Sequence, residues 1–338
     1  MKIFNCKKLF ALVAYFLVLY SPVLAQTAFK SLDYLYSISG TKTLAGIHNR
    51  EPNANPFLWT DSISGLSGKT PALWSGDLLF LTDDVKERWT MIYAAEKAWK
   101  QGAMVNLMWH TCSPAHPEPC LWDKNGVLDQ LSDEEWNSLI TDGGKLNSVW
   151  KKRMDEIATY LQYLEDKAVE VMFRPFHEMN QPVFWWAGRK GSNGTSRLFQ
   201  ITHDYLEKEK GLTNLIWVWD VQDFSTLSQD LVDFNPGNEY WDILALDMYS
   251  SDQTGYTLDK YNACLATAAG KPIAIGECQQ LPTLEELTAQ PKWIFFMSWA
   301  ELTVQHNTLS QIKKLYDSPR VITLEEMPGW GKEKKSRK

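Results

Sequence analysis

FRPFHEMNQPVFWWAG, residues 173–188, is the stretch on which the reading of this chain turns. It closes a buried-looking apolar run, Val169-Glu170-Val171-Met172, so a strand over 169–174 delivers His177 and Glu178 just past its C-terminal end. Three consecutive aromatics follow, Phe184, Trp185 and Trp186. Carbohydrate chemistry needs this combination, because sugar C–H faces stack on rings while a carboxyl group reaches the oxygen between two sugars. The competing reading is a strand end whose His and Glu cap a turn above a tryptophan-rich core. Arg174 and Asn180, added to the Phe-Trp-Trp run, favour the chemical one.

Outward from this strand, apolar runs alternate with stretches at helical spacing. Strands are expected over 43–46, 71–74, 104–109, 169–174, 215–219, 243–247, 272–276 and 293–297. Helices are expected over 83–101, 147–166, 195–208, 256–269 and 309–316. Residues 111–144, rich in Pro, Asp and Gly, read as one long irregular loop, a length that is usually functional or disordered. Eight strands, each followed by a loop or helix, describe a single (β/α)8 TIM barrel with polar residues gathered at strand C-terminal ends. His48-Asn49, Asp77, His110, Asp247 and Glu277 stand at such ends. In the seventh strand, period-two alternation puts Ile273, Ile275 and Glu277 on one face, expected to fill the barrel, with Cys278 toward the helices.

Composition narrows the class. The 338 residues are 44% hydrophobic and 22% charged, with 16 Trp and a net charge of −7, which argues against nucleic acid or other anionic polymers as partners. Residues 1–25 read as a signal peptide: Lys2, Lys7 and Lys8, an apolar run over 9–20 too short for a membrane span, then Val23-Leu24-Ala25 before Gln26. The expected organisation is this leader, a lead-in over 26–40, a catalytic domain over 41–330 and a basic tail over 331–338. Export, to periplasm or medium, leaves Cys112, Cys120, Cys264 and Cys278, which allow three pairings. A Cys112–Cys120 bond would staple the intervening loop. His110, Cys112, His116 and Cys120 have the residue types of a zinc site, but irregular spacing and an oxidising compartment weigh against it.

The 173–188 segment resembles the acid/base motif of glycoside hydrolase family 26, whose members are mostly bacterial β-mannanases. The resemblance implies that Glu178 is the general acid/base, with His177 beside it, and that a nucleophile follows the seventh strand. Strand counting independently puts Glu178 after the fourth strand and Glu277 after the seventh. The Trp109-His110 pair resembles the family's Trp-His pair and implies a sugar contact from His110. Tyr249 matches a tyrosine that orients the nucleophile, and Trp299 the aromatic floor beneath the reacting sugar. From its position, Arg174 could hold a carboxylate or form a structural ion pair, Trp185 and Trp186 could serve the leaving-group side or one of them be core, and Asp77 and Asp247 could bind sugar hydroxyls. One departure stands out: many members carry a tryptophan five residues after the acid, where this chain has Val183.

The expectation is therefore a retaining β-1,4-mannanase with Glu178 protonated and Glu277 ionised, no cofactor, no metal, no membrane after leader removal, and a monomer whose partner is a β-mannan substrate. Mixed-linkage glucan or β-1,3-xylan is the alternative substrate, and a non-catalytic glycan-binding protein the alternative class. If the 111–144 loop walls off one end of the cleft, mannobiose release from chain ends is expected rather than endo cleavage.

Overall fold

The runs read as strands pair into one closed sheet. The computed structural model describes residues 27–330; the expected leader over 1–25 and the basic tail over 331–338 lie outside the described residues. The strands β1 (Thr43–His48), β2 (Leu73–Asp77), β3 (Met104–Met108), β4 (Val171–Arg174), β5 (Leu215–Gln222), β6 (Ile243–Met248), β7 (Ile273–Cys278) and β8 (Trp293–Trp299) neighbour one another in sequence order. β1 pairs in parallel with both β2 and β8, Gly46 lying opposite Leu73 on one side and Met297 on the other, which closes the (β/α)8 barrel. A two-residue strand, β9 (Val321–Ile322), adds to the start of β1. No helix among the described residues is long and apolar enough to cross a membrane.

Alternation along the strands builds two cores. Trp74, Val105, Phe173, Trp217 and Leu244 face the surrounding helices. Leu73, Met104, Met172, Val218 and Ala245 fill the lower barrel. The 26–40 lead-in contains a helix, Lys30–Ile38, whose Leu32, Leu35 and Ile38 plug the barrel floor. Burying one such leucine contributes about 2 kcal/mol. Two strand residues further up, alternation carries the same interior face to polar groups: Met172 leads to Arg174, Val218 to Asp220 and Ala245 to Asp247.

β7 departs from the expected alternation. Ile273 and Ile275 pack outward against the helices, and Ala274 points into the barrel. On that period Glu277 would point out. A bulge corrects it: Leu246 pairs with Ile275, Asp247 pairs with Glu277, and Gly276 is left over between them. Glu277 therefore reaches the interior through an irregularity, and Cys278 faces outward in the outer core. Glycine leaves both carboxyls in place at the bulge, because a Cβ there would lie 2.4 Å from Asp220 Oδ2 and 2.5 Å from Asp247 Oδ1 and would push them aside.

Two other expectations change. The helix over 83–101 is broken at Glu87 into Thr82–Lys86 and Arg88–Gln101; at the break, buried Arg88 turns back to the Leu79 carbonyl and Glu118. The 111–144 stretch ends in a helix, Asp133–Ile140, started by a Ser132/Glu135 capping box, a Ser-x-x-Glu signal masked by the polar composition around it. Cys112 and Cys120 are joined in a disulfide, so their sulfurs are not available to zinc, while Cys264 and Cys278 are separate buried thiols.

Candidate active site

Arg174, fully buried at the top of β4, organises the C-terminal mouth of the barrel. Its Nη1 donates to Asp220 Oδ2 at 2.7 Å and to Asp247 Oδ1 at 2.9 Å, and its Nη2 donates to Glu277 Oε1. One guanidinium thus serves carboxyls from β5, β6 and β7. A single cation does not neutralise three buried carboxylates and a fourth, Glu178, close by, so part of this cluster must hold protons.

The two carboxyls singled out in the sequence have unequal surroundings. Glu277 Oε2 accepts a hydrogen bond from the Tyr249 hydroxyl at 2.7 Å, while Oε1 takes Arg174. Burial lifts its pKa above the ordinary value, with Asp220 adding to the rise, while Arg174 and the tyrosine hydroxyl limit it. For Glu178, burial and then the charges of Glu277 and Asp220 push the carboxyl well above the ordinary range. Its side chain meets a neutral donor, Gln181 Nε2, at 2.7 Å. The proton of the pair therefore resides on Glu178. Its backbone is also unusual, with φ +50°, a left-handed conformation held by its N–H donating to Asp220 Oδ1 at 2.8 Å and its carbonyl accepting from Gln181 N–H.

Beside the carboxyls, on the β8, β1, β2 and β3 side, lies a cavity of about 370 Å³ lined by Arg50, Phe80, His110, Trp122 and Trp299 among others. Trp299 stacks on His48, the last residue of β1, with ring centres 4.2 Å apart. Burial lowers the His48 pKa to about 3, against the pull of Asp77, so the ring behind Trp299 is neutral. His110 gives Nδ1 to Asp77 Oδ2 at 2.5 Å, which leaves Nε2 for another partner. Burial disfavours the charge on Asp77, but the contacts with His110 outweigh it and keep this carboxyl below its ordinary range. His177 lies 4.2 Å from His110 between ring centres; burial, then His110, hold its pKa well below the usual value, and its Nδ1 has no hydrogen-bond partner among the described residues.

The structure thus gathers Glu178, Glu277, Arg174, Tyr249, His110, His177 and Trp299 at one mouth. Asp77 and Asp247 are fully buried with their oxygens engaged by His110 and Arg174, so they support the site rather than meet sugar hydroxyls. Three tryptophans are corrected. Trp109 faces outward and stacks on Trp150, because alternation along β3 turns it away from His110. Trp185 and Trp186 are buried, their indole N–H groups donating to the Thr111 and His177 carbonyls, with Trp186 stacked on Phe184. Neither replaces the ring missing at Val183, which is exposed.

Sequence reasoning missed four residues. His48 was visible only as a strand end. Asp220 was lost because β5 runs to Gln222, three residues beyond the expected end. Gln181 carried no signal of its own, and Trp122 sat in a loop read for its length, composition and cysteines.

A model of glycosyl hydrolase family 26 matches residues 21–326. A mannan endo-1,4-beta-mannosidase of Thermothelomyces thermophilus is 31% identical over 319 residues, 88% of this chain and 61% of that protein, so the chain spans about three-fifths of that relative's length. The solved structure of a family 26 glycoside hydrolase from Muricauda sp. superimposes with a TM-score of 0.82 at 36% identity, over 88% of this chain and 95% of that one. A β-mannanase from a symbiotic protist of the termite Reticulitermes speratus, solved with a gluco-manno-oligosaccharide, gives a TM-score of 0.76 at 26% identity, over 88% and 93% of the two chains.

Proposed function

The chain belongs to glycosyl hydrolase family 26, and on that premise we propose that it is a retaining β-mannanase cleaving β-1,4-mannosidic bonds in mannan, glucomannan or galactomannan. The observation that carries the mechanism is the asymmetry of the two carboxyls. Glu277, ionised against Arg174 and Tyr249, is the group that attacks the anomeric carbon. Glu178, kept protonated by burial and by the charge of Glu277, gives its proton to the departing glycosidic oxygen. The C–O bond to the leaving sugar breaks as the bond to Glu277 forms. Glu178, now a carboxylate, then takes a proton from water, which displaces Glu277 and returns the product with its configuration retained.

Trp299, braced from behind by His48, offers a flat face for the reacting sugar, and His110, held through Nδ1 by Asp77, offers Nε2 to one of its hydroxyls. The names of the matched relatives support mannan as the substrate. The leader-like residues 1–25 support export of the mature chain, to periplasm or medium.

The test is a product time course on linear mannan and mannohexaose with wild type, Glu178→Ala and Glu277→Ala. Both variants are expected to stay folded and lose about 10²-fold or more. Azide should rescue each on an aryl mannoside with a good leaving group, giving a β-azide from Glu178→Ala and an α-azide from Glu277→Ala. Cleavage of lichenan or β-1,3-xylan with mannan untouched would change the substrate, and binding without cleavage would remove the enzyme. Early long oligosaccharides mean endo action, whereas mannobiose alone means attack from chain ends.

A further inference from the structure

We propose that Asp220, at the C-terminal end of β5, is the positioning residue that fixes the acid and the nucleophile relative to each other. The inference rests on reading Glu178 and Glu277 as the reacting carboxyls. Asp220 is fully buried, and both of its oxygens are engaged. Oδ1 accepts the Glu178 backbone N–H at 2.8 Å. Oδ2 accepts Arg174 Nη1 at 2.7 Å, and the other terminal nitrogen of the same guanidinium holds Glu277. The Asp220 carbonyl takes the next amide along, that of Met179, at 3.2 Å. One residue of β5 therefore grips the main chain on both sides of the acid's carbonyl and, through one intervening side chain, the nucleophile.

The acid's own geometry requires such a grip. Glu178 sits at φ +50°, a conformation that a residue with a Cβ keeps only where its surroundings over-determine it. Charge balance for Arg174 does not account for Asp220, because Asp247 and Glu277 already face that guanidinium and the Oδ1 bond goes to a neutral amide. The bulge in β7 is shaped around the same group: a Cβ at Gly276 would fall 2.4 Å from Asp220 Oδ2. The charged and titratable groups facing Asp220 are Arg174 from β4, Glu178 after it, Asp247 from β6 and Glu277 from β7, and the charge of Asp220 raises the pKa of both Glu178 and Glu277.

Two consequences follow for an Asp220→Asn variant. An amide keeps the shape but lacks the second acceptor oxygen, so either the Glu178 amide or Arg174 loses its partner. A displaced acid hurts a substrate that needs a proton on its leaving oxygen and spares one that does not. The experiment compares kcat/KM for mannohexaose and for 2,4-dinitrophenyl β-mannobioside across pH, in wild type, Asp220→Asn, Gly276→Ala and Asp247→Asn.

For Asp220→Asn the loss on mannohexaose should exceed the loss on the dinitrophenyl substrate by about tenfold or more, and both limbs of the pH profile should move to lower pH. Gly276→Ala crowds Asp220 Oδ2 and Asp247 Oδ1 without removing either charge, so it should reproduce the leaving-group dependence with the limbs in place; Asp247→Asn, which leaves the Asp220 bond to the Glu178 amide intact, should not, and the pair carries the test should Asp220→Asn not be recovered folded. Equal losses on both substrates with unmoved limbs would make Asp220 merely structural and overturn the inference. Wild type inactive on both substrates overturns the enzymatic reading beneath it instead.

Discussion

Tyr249 shows how a single hydroxyl sets the ionisation of the site. Its hydrogen bond to Glu277 Oε2 at 2.7 Å favours the ionised form of that carboxyl. In Tyr249→Phe that contribution is gone, so the pKa of Glu277 rises and the acid limb of kcat/KM moves to higher pH. A hydrogen bond to a charged group is worth about 1.5–3 kcal/mol, so kcat/KM should fall about 10- to 100-fold at the optimum. A pH profile measured on mannohexaose checks both, and an acid limb that stays in place would show that Tyr249 does not tune Glu277. His177 and Glu178 were legible at this scale because the motif packs several chemical residue types into a few positions. Trp185 and Trp186 were misread from the same segment, since an aromatic residue looks identical in sequence whether it faces a cleft or a core.

At the scale of elements, the disulfide loop is the part most open to test. Cys112 and Cys120 are eight residues apart and brace the segment that brings Trp122 to the cavity, where its ring lies 5.9 Å from that of His110. Closing a loop of that length stabilises the fold by about 2.5 kcal/mol on chain-entropy grounds. The double variant Cys112→Ala with Cys120→Ala should lose stability of that order in a denaturant melt. Its KM for mannohexaose should rise while kcat stays close to wild type, because Trp122 lines the cavity against Phe80 and His110 and makes no hydrogen bond to Glu178 or Glu277. A fall in kcat with unchanged KM would mean the loop acts on the chemistry instead. Strand number and order were readable from apolar runs and breaks, but the β7 bulge was not. Alternation gave the right face for Glu277 only because the wrong inward residues were assumed, and the true cause is the unpaired Gly276.

Across the whole molecule, the site is held at a cost in stability. Burial first, then the charges of Asp220 and Glu277, raise the Asp247 carboxyl well above its ordinary value. Between the ordinary and the raised pKa, the folded chain keeps a proton that the unfolded chain releases, so this group's contribution to stability falls as pH rises through that window. Asp247→Asn lacks that titration. The melting temperature of the variant relative to wild type should therefore increase as pH rises above the ordinary carboxylate range, by about 2 °C per unit at the steepest point, while its activity falls. A difference that stays flat with pH would show that Asp247 is not a buried carboxyl with a raised pKa.

The sequence by itself determined the barrel, the eight strands in order, and two glutamates at the ends of the fourth and seventh. Those properties depend on local periodicity and on residue types concentrated at strand ends, and each is written along the chain. The tertiary structure decided which tryptophans are core, that His48 stands behind Trp299, that the inward turn of Glu277 comes from a bulge, and that Asp220 joins the Glu178 main chain to the arginine that holds Glu277. Each of these relates residues tens to hundreds of positions apart. Only closure of the sheet brings the top of β5 against β4 and, across the interior, to β7 within reach of one guanidinium. No local pattern encodes that distance.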